Sequence, residues 1–435
     1  MLLTLSPKTL SSSSSSSFTV HKSQNPRCKS SNSARFKSSK WRYHPILVKS
    51  EVQIERDLEF EPGDTFFRHE SATGRDLGVL SATLYKRSNG SLRVLDAMCG
   101  CGIRSLRYLV EADADFVMAN DANDANRKVI TDNLSRVERG NGDERRWVVT
   151  HLLANKVMIE RYMVADFFDM IDIDSFGSDS SFLRDAFNTL RLGGLLYLTS
   201  TDGYSSGGHR PYNSLAAYGA FIRPMPFGNE IGLRMLIGGA VREAALLGYH
   251  VTPLFSYYSY HGPVFRVMLR VHRGKLHEDR NYGFVTHCNL CGHSHTLRWD
   301  ELGLMGCPCS DTKASSSLVV SGPMWLGPLH DGSYVTEMLE LAKEWGWVGE
   351  GTGMDLEKLL SIMIEESDPR LPPGYTKMDE MASRAKMNSP PLKKMMSALV
   401  KEGYAVSRSH IIPNALKTDC PMSNFVRIAQ DNLKR

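Results

Sequence analysis

The chain has 435 residues, 42% of them apolar and 23% charged. That length can bury a sizeable core and suggests two domains plus appendages. No apolar run approaches the roughly 18 residues of a membrane-spanning helix, which excludes a helical membrane protein and leaves no membrane partner to expect.

The formal charge of +4 hides a division. Residues 1–50 hold nine Lys or Arg, fifteen Ser and no acid, while the rest carries 43 basic against 48 acidic residues. A basic, serine-rich, acid-free start without a long apolar stretch reads as a disordered transit peptide, chloroplast in preference to mitochondrion. A merely disordered basic tail is the bland alternative. Residues 51–90 then read as a loop entering a helix, with Asp76, Val79, Leu80 and Leu84 at mixed helical spacing. Arg68 and Arg75 lie where such a loop can close over a ligand.

Residues 92–104, LRVLDAMCGCGIR, are the stretch around which the chain is organised. A buried strand ends at Asp96, Gly100 and Gly102 form a tight turn, and a helix opens at Ile103. Asp121 ends the next strand-like run, FVMAND, one βαβ unit later. Glycines let a nucleoside-containing ligand approach the backbone, and the second acid takes its ribose hydroxyls. A dinucleotide fingerprint needs a third glycine where Ser105 stands. The D-x-x-x-G-x-G from Asp96 to Gly102 suits S-adenosylmethionine instead, whose tail is smaller than a pyrophosphate. Cys99 and Cys101 read as small packing residues inside the turn.

Between 92 and about 272, apolar runs alternate with helical spacing at 103–112, 123–136, 180–191 and 229–247. This predicts an α/β fold, a doubly wound and mostly parallel sheet of the class I methyltransferase kind. The last two runs, HVTPLFSYYSY and PVFRVMLRV, have no helix between them and form an antiparallel edge hairpin. Asp96, Asp121, Asp174 and Asp202 fall at strand ends, where ligands of such sheets bind. In FDMIDIDSFGSD, residues 168–179, Asp174 is placed to orient an exocyclic amine and take its proton. Phe176 is placed to stack on the base. The structural alternative is an Asp capping the helix near Ser180. Residues 200–228 read as a long Gly/Ser/Pro loop covering that base.

Four of the eight cysteines cluster next: Cys288-x2-Cys291 and Cys307-x-Cys309. Two thiolate pairs at that separation fit a structural zinc ribbon, with His287, His293 and His295 as substitute ligands. Residues 331–346 and 354–366 read as amphipathic helices. Residues 381–435 hold ten Lys or Arg against three acids, and helix–KEGY–strand–Pro within 391–413 resembles a winged helix. That is a phosphate-binding face or a solvated basic surface. The expected organisation is 1–50 transit peptide, 51–275 methyltransferase domain, and 276–435 zinc-ribbon and basic helical domain.

Taken together, these segments resemble the tRNA guanine-26 N2-dimethyltransferases, in particular a plant organellar-type member. The resemblance rests on GRDL at 74–77, LDAMCGCGIRSLRY at 95–108, AND at 119–121 and DIDSFGS at 172–178. It continues in GGLLYLTSTD at 193–202, the paired cysteines, MWLGPLHD at 324–331 and SRSHIIPNALKTD at 407–419. It implies transfer of methyl groups from S-adenosylmethionine to the N2 amine of a tRNA guanine. It implies cofactor contacts from Arg75, Arg104 and Asp121, a catalytic Asp174, and tRNA as partner; no obligate protein partner is evident. Three positions depart from the family pattern: Ser175 replaces a proline, Val157 an acid near the adenine, and Gly74 an asparagine. A catalytically weakened or silent RNA-binding protein on the same fold is the competing expectation.

Overall fold

The computed structural model describes residues 52–137, 146–274, 281–309, 317–348 and 355–433, so the transit-peptide expectation for residues 1–50 lies outside the described residues. Strands β1 (Gln53–Glu55) and β2 (Leu58–Phe60) form a hairpin that leads to α1 (Ala72–Asn89). Helix α1 is buried continuously from Thr73 to Tyr85, which explains its mixed spacing: no face is left for water.

Next come β3 (Arg93–Asp96), α2 (Ile103–Val110), β4 (Phe116–Asn120) and α3 (Arg127–Leu134). They are followed by β5 (Trp147–Thr150), α4 (Ala154–Met163), β6 (Phe168–Asp174), α5 (Leu183–Thr189) and β7 (Leu190–Ser200). A helix between successive strands carries the chain back across the sheet, and β3 to β7 pair in parallel. After α6 (Gly203–Ser206), α7 (Pro211–Tyr218) and α8 (Gly228–Leu246), the hairpin β8 (Tyr249–Ser259) and β9 (Val264–Arg273) closes the sheet antiparallel. The order is β5-β4-β3-β6-β7-β9-β8. The chain starts in the middle, winds out through β4 and β5, then returns to β6, so a crevice opens at the carboxyl ends of β3, β4 and β6. Residues 200–228 differ from the expected open loop: they fold into α6 and α7, with Asp202 capping α6 through Ser205 N at 3.0 Å.

Strands β10 (Tyr282–Cys288), β11 (Ser294–Leu297) and β12 (Leu318–Trp325) make a second sheet in the order β11-β10-β12. A side chain at Gly238 of α8 would come within 3.0 Å of Met324 Cα; its absence lets β12 lie directly on that helix. Helix α9 (Gly332–Glu344) packs on α1, where Tyr334 Oη donates to Ser81 O at 3.5 Å. Then follow α10 (Leu356–Glu366), β13 (Thr376–Lys377), α11 (Met378–Ala385), α12 (Leu392–Lys401), β14 (Val406–Arg408), β15 (Ala415–Thr418) and α13 (Met422–Leu433). Helix, strand, two helices and a two-stranded wing in the order β13-β15-β14 is winged-helix topology, over a core that includes Met378, Met395, Leu416 and Phe425.

Two buried ionic clusters fasten this C-terminal part. Glu230 of α8 accepts from Lys417 Nζ at 2.6 Å and from Gly374 N at 2.7 Å. Glu366 Oε2 lies 3.2 Å from His330 Nε2 and 2.9 Å from His410 Nδ1. Both histidines come from segments singled out above, MWLGPLHD and SRSHIIP, and the fold explains their presence as one buried junction.

Candidate functional site

A cavity of about 670 Å³ occupies the crevice, within the size range of small-molecule sites. Its floor is the turn after β3. Gly100 (φ 59°) and Gly102 (φ 86°) both need the left-handed region that glycine favours. Gly100 faces open space, whereas Gly102 caps α2 close to Ile130 and does not line the cavity. Asp121 lines it, and its Oδ2 accepts from Gly100 N at 3.0 Å, so the acid holds the turn while facing the ligand space.

Asp96, expected at the ligand, is placed otherwise. It is fully buried beneath the turn, off the cavity wall, and accepts from Ser105 Oγ at 2.7 Å. Its cross-strand neighbour is Asp172. Burial and the Asp172 charge push Asp96 up to about 8, and burial raises Asp172 as well despite the Arg104 guanidinium beside it. Side chains alternate along a strand, and the last residue of β3 points down, not out.

Arg104, the second residue of α2, spans two carboxylates: Nη1 donates to Asp172 Oδ2 at 2.8 Å and Nη2 to Asp174 Oδ2 at 2.7 Å. It lines the cavity with Asp174. Burial alone would raise Asp174, but the guanidiniums of Arg104 and Arg266 hold it below its ordinary value. An ionised carboxylate therefore sits on the cavity wall; the capping role considered for it is not what it performs. Phe176, two residues on, is 73% exposed at the rim, edge-on to Phe66 with ring centroids 5.0 Å apart. Arg68 lies over the Phe66 ring at 4.8 Å.

Arg75 reaches the cavity from α1, held by Glu55 through Nε at 2.7 Å and by the Arg68 carbonyl at 3.1 Å. Burial would raise Glu55, yet Arg75 and Arg107 bring it to about 2, a measure of how firmly the network is charged. Of the departures, Ser175 donates to Thr199 O at 2.8 Å and so ties the turn to β7 where a proline ring would stiffen it. Val157 is buried in the core and off the cavity wall, and Asn155 from the same helix lines the cavity instead.

Two site residues carried no signal in the pattern. Phe66 sits in an irregular segment, where aromatic residues have no period. Arg266 of β9 lines the cavity although it is only 2% exposed; it shares the apolar run PVFRVMLRV with Arg270, and nothing in that run sets it apart.

Away from the cavity, Sγ atoms of Cys288, Cys291, Cys307 and Cys309 lie within 4.8 Å of one another. Cys291 and Cys307 approach to 3.3 Å, and Cys288 and Cys309 to 4.0 Å. The nearby histidines do not join them: His287 pairs with Ser294 and His295 with Thr286, both at 2.9 Å.

Residues 49–430 match the family model described as N2,N2-dimethylguanosine tRNA methyltransferase. The chain is 30% identical over 370 residues to a tRNA (guanine(26)-N(2))-dimethyltransferase of Methanothermobacter thermautotrophicus, covering 83% of this chain and 92% of that one. A protein of the same name from Thermococcus kodakarensis is 30% identical over 380 residues, covering 84% and 93%. Among solved structures, Trm1 from Pyrococcus horikoshii in complex with S-adenosyl-L-methionine superposes with a TM-score of 0.71 at 25% identity, covering 87% of this chain and 99% of that one.

Proposed function

The chain belongs to the N2,N2-dimethylguanosine tRNA methyltransferase family, and from that premise we propose how its cavity performs the family's reaction. The protein is an S-adenosylmethionine-dependent tRNA guanine N2-methyltransferase. Position 26 is the position named for its relatives.

The residues fit the cofactor on their own chemistry. A glycine turn opens onto the cavity, an acid at the end of β4 suits ribose hydroxyls, and Arg75 and Arg104 supply fixed cations. When bound, S-adenosylmethionine supplies an electrophilic methyl carbon on a sulfonium sulfur. The observation that carries the assignment is Asp174, an ionised carboxylate on the cavity wall with one oxygen fixed by Arg104. It accepts an N–H of the guanine amine and so turns the nitrogen lone pair toward the cavity. Its low basicity suffices, because an aromatic amine nitrogen that has gained a methyl group is strongly acidic and gives its proton to a carboxylate readily. Phe66 and Phe176 at the rim supply faces on which a base drawn out of the tRNA stacks.

The four thiols suit a structural zinc ion, which would join the ribbon's two knuckles. In the winged helix, Lys393, Lys394 and Lys401 of α12 are exposed, which supports this face as the grip on the tRNA backbone. The composition of residues 1–50 supports import into an organelle, the chloroplast first. A fluorescent fusion of those residues tests that targeting; diffuse cytosolic signal rejects it. The activity itself is tested by incubating purified protein with organellar tRNA transcripts and mapping methylated nucleosides. N2-methylated guanosine is expected, and its absence rejects the reading.

A further inference from the structure

Arg266 is a cation in a position that packing does not account for. Its side chain is 2% exposed, yet its Nε and Nη1 are buried with no hydrogen-bond partner among the described residues. Among the described residues its ion-pair partner is Asp174, whose Oδ1 lies 3.9 Å from Nη2, beyond hydrogen-bond reach. Asp174 spends its other oxygen on Arg104. Leaving a buried guanidinium this poorly paired is costly, and such costs persist where a ligand completes the set. The chain makes room for it deliberately: a side chain at Gly74 would come within 2.7 Å of Arg266 Nε. Strand pairing fixes its place, because Arg266 sits opposite Thr199 on β7 and Tyr257 on β8, and Thr199 is itself opposite Asp174.

We propose that Arg266 is a specificity-determining residue that selects guanine by donating to its O6 while Asp174 holds the N2 amine. The inference rests on the functional reading above and deepens it. The Watson–Crick edge of guanine offers an acceptor, O6, and a donor amine, N2, on either side of N1. An arginine donor beside a carboxylate acceptor is the complement of that edge. Adenine presents a donor amine where guanine has O6 and meets the guanidinium donor to donor, a mismatch that leaves buried polar groups unpaired. A carboxylate alone would accept either base's amine; the adjacent guanidinium supplies the discrimination.

The test uses full-length protein and two tRNA transcripts, one with guanine and one with 2-aminopurine at the methylated position. 2-Aminopurine keeps the reacting amine and lacks O6. Native protein should prefer guanine by about a hundredfold in kcat/KM, the scale of a lost buried hydrogen-bond partner at a base-reading site. In Arg266→Met the rate on guanine should fall by about that factor, the rate on 2-aminopurine should change little, and the preference should collapse toward one. Arg266→Lys, which keeps the charge and loses the fork, should recover part of the preference. Thermal unfolding and the dissociation constant for S-adenosylmethionine are measured on each variant. Equal losses on both bases would show a role through Asp174 or the fold and overturn the inference. Cofactor affinity falling in step with the rate would do the same. Native protein that discriminates between the two bases no better than Arg266→Met also overturns it, while the N2-methylation reading survives. If native protein methylates neither transcript, the functional reading itself fails and this inference falls with it.

Discussion

Arg104 Nη2 donates to Asp174 Oδ2 across 2.7 Å, which fastens the helix after the glycine turn to the strand end on the cavity wall. The same guanidinium neutralises Asp172 below. Arg104→Lys keeps the charge but cannot span both acids. Methyl transfer should drop about a hundredfold, the cost of misplacing a reacting group by around an ångström. Arg104→Met should also destabilise the fold by about 3 kcal/mol, because it strips buried Asp172 of its cationic partner and leaves it only the Tyr108 hydroxyl at 2.6 Å. Denaturant melts and single-turnover methylation measure the two effects; an unchanged rate in Arg104→Lys would show that Asp174 is positioned by something else.

Asp174→Ala removes the acceptor for the amine. Methyl transfer should fall by on the order of 10² to 10⁴-fold, the usual reach of a positioned acid or base. Affinity for tRNA and for the cofactor should stay within about threefold, since neither phosphate nor ribose contacts are assigned to it. Filter binding and calorimetry check those affinities, and retained turnover rejects the assigned role.

The His330–Glu366–His410 junction predicts an acid-sensitive fold. Burial lowers His330 to about 4 even though Glu366 pulls it upward. Burial would raise Glu366, but His410, His330 and Lys417 together hold it well below its ordinary value. Between about 4 and its unfolded value of 6.5, the unfolded His330 binds a proton that the folded one does not. Stability from this residue is therefore complete above pH 6.5 and is lost as the pH falls toward 4. Glu366 acts in the same direction at lower pH. His330→Asn should flatten the fall in urea midpoint between pH 7 and pH 5; a parallel fall in both proteins would assign the sensitivity elsewhere.

Purified protein should carry about one zinc per chain, bound by Cys288, Cys291, Cys307 and Cys309. Cys307→Ser should lower the metal content and loosen the ribbon. The cofactor cavity contains none of these residues, so S-adenosylmethionine affinity should persist. Metal analysis far below one per chain in native protein refutes the site.

What was legible in the chain was local. The glycine turn, Asp121, Asp174 and the paired cysteines announce themselves because their spacing is short and their chemistry depends on that spacing. The parallel sheet and its edge hairpin followed from alternation alone. The web around the site was not legible, since Arg104 meets Asp174 70 residues away and Arg107 meets Glu55 across 52. Asp96 lies off the cavity for a related reason: being last in a strand does not say which face a side chain takes. The region 200–228 read as a loop because its glycines and prolines mask helices α6 and α7, which are short and held by tertiary packing.

Gly238 and Tyr334 bring the molecule's tail against its body, β12 along α8 and α9 over α1. A chain cut near residue 275 would therefore not be a smaller methyltransferase. It would be a sheet with two naked helices, one of them the helix that presents Arg75. Such a fragment should aggregate, so the tail acts first as part of the support that keeps the cavity's own helices in place.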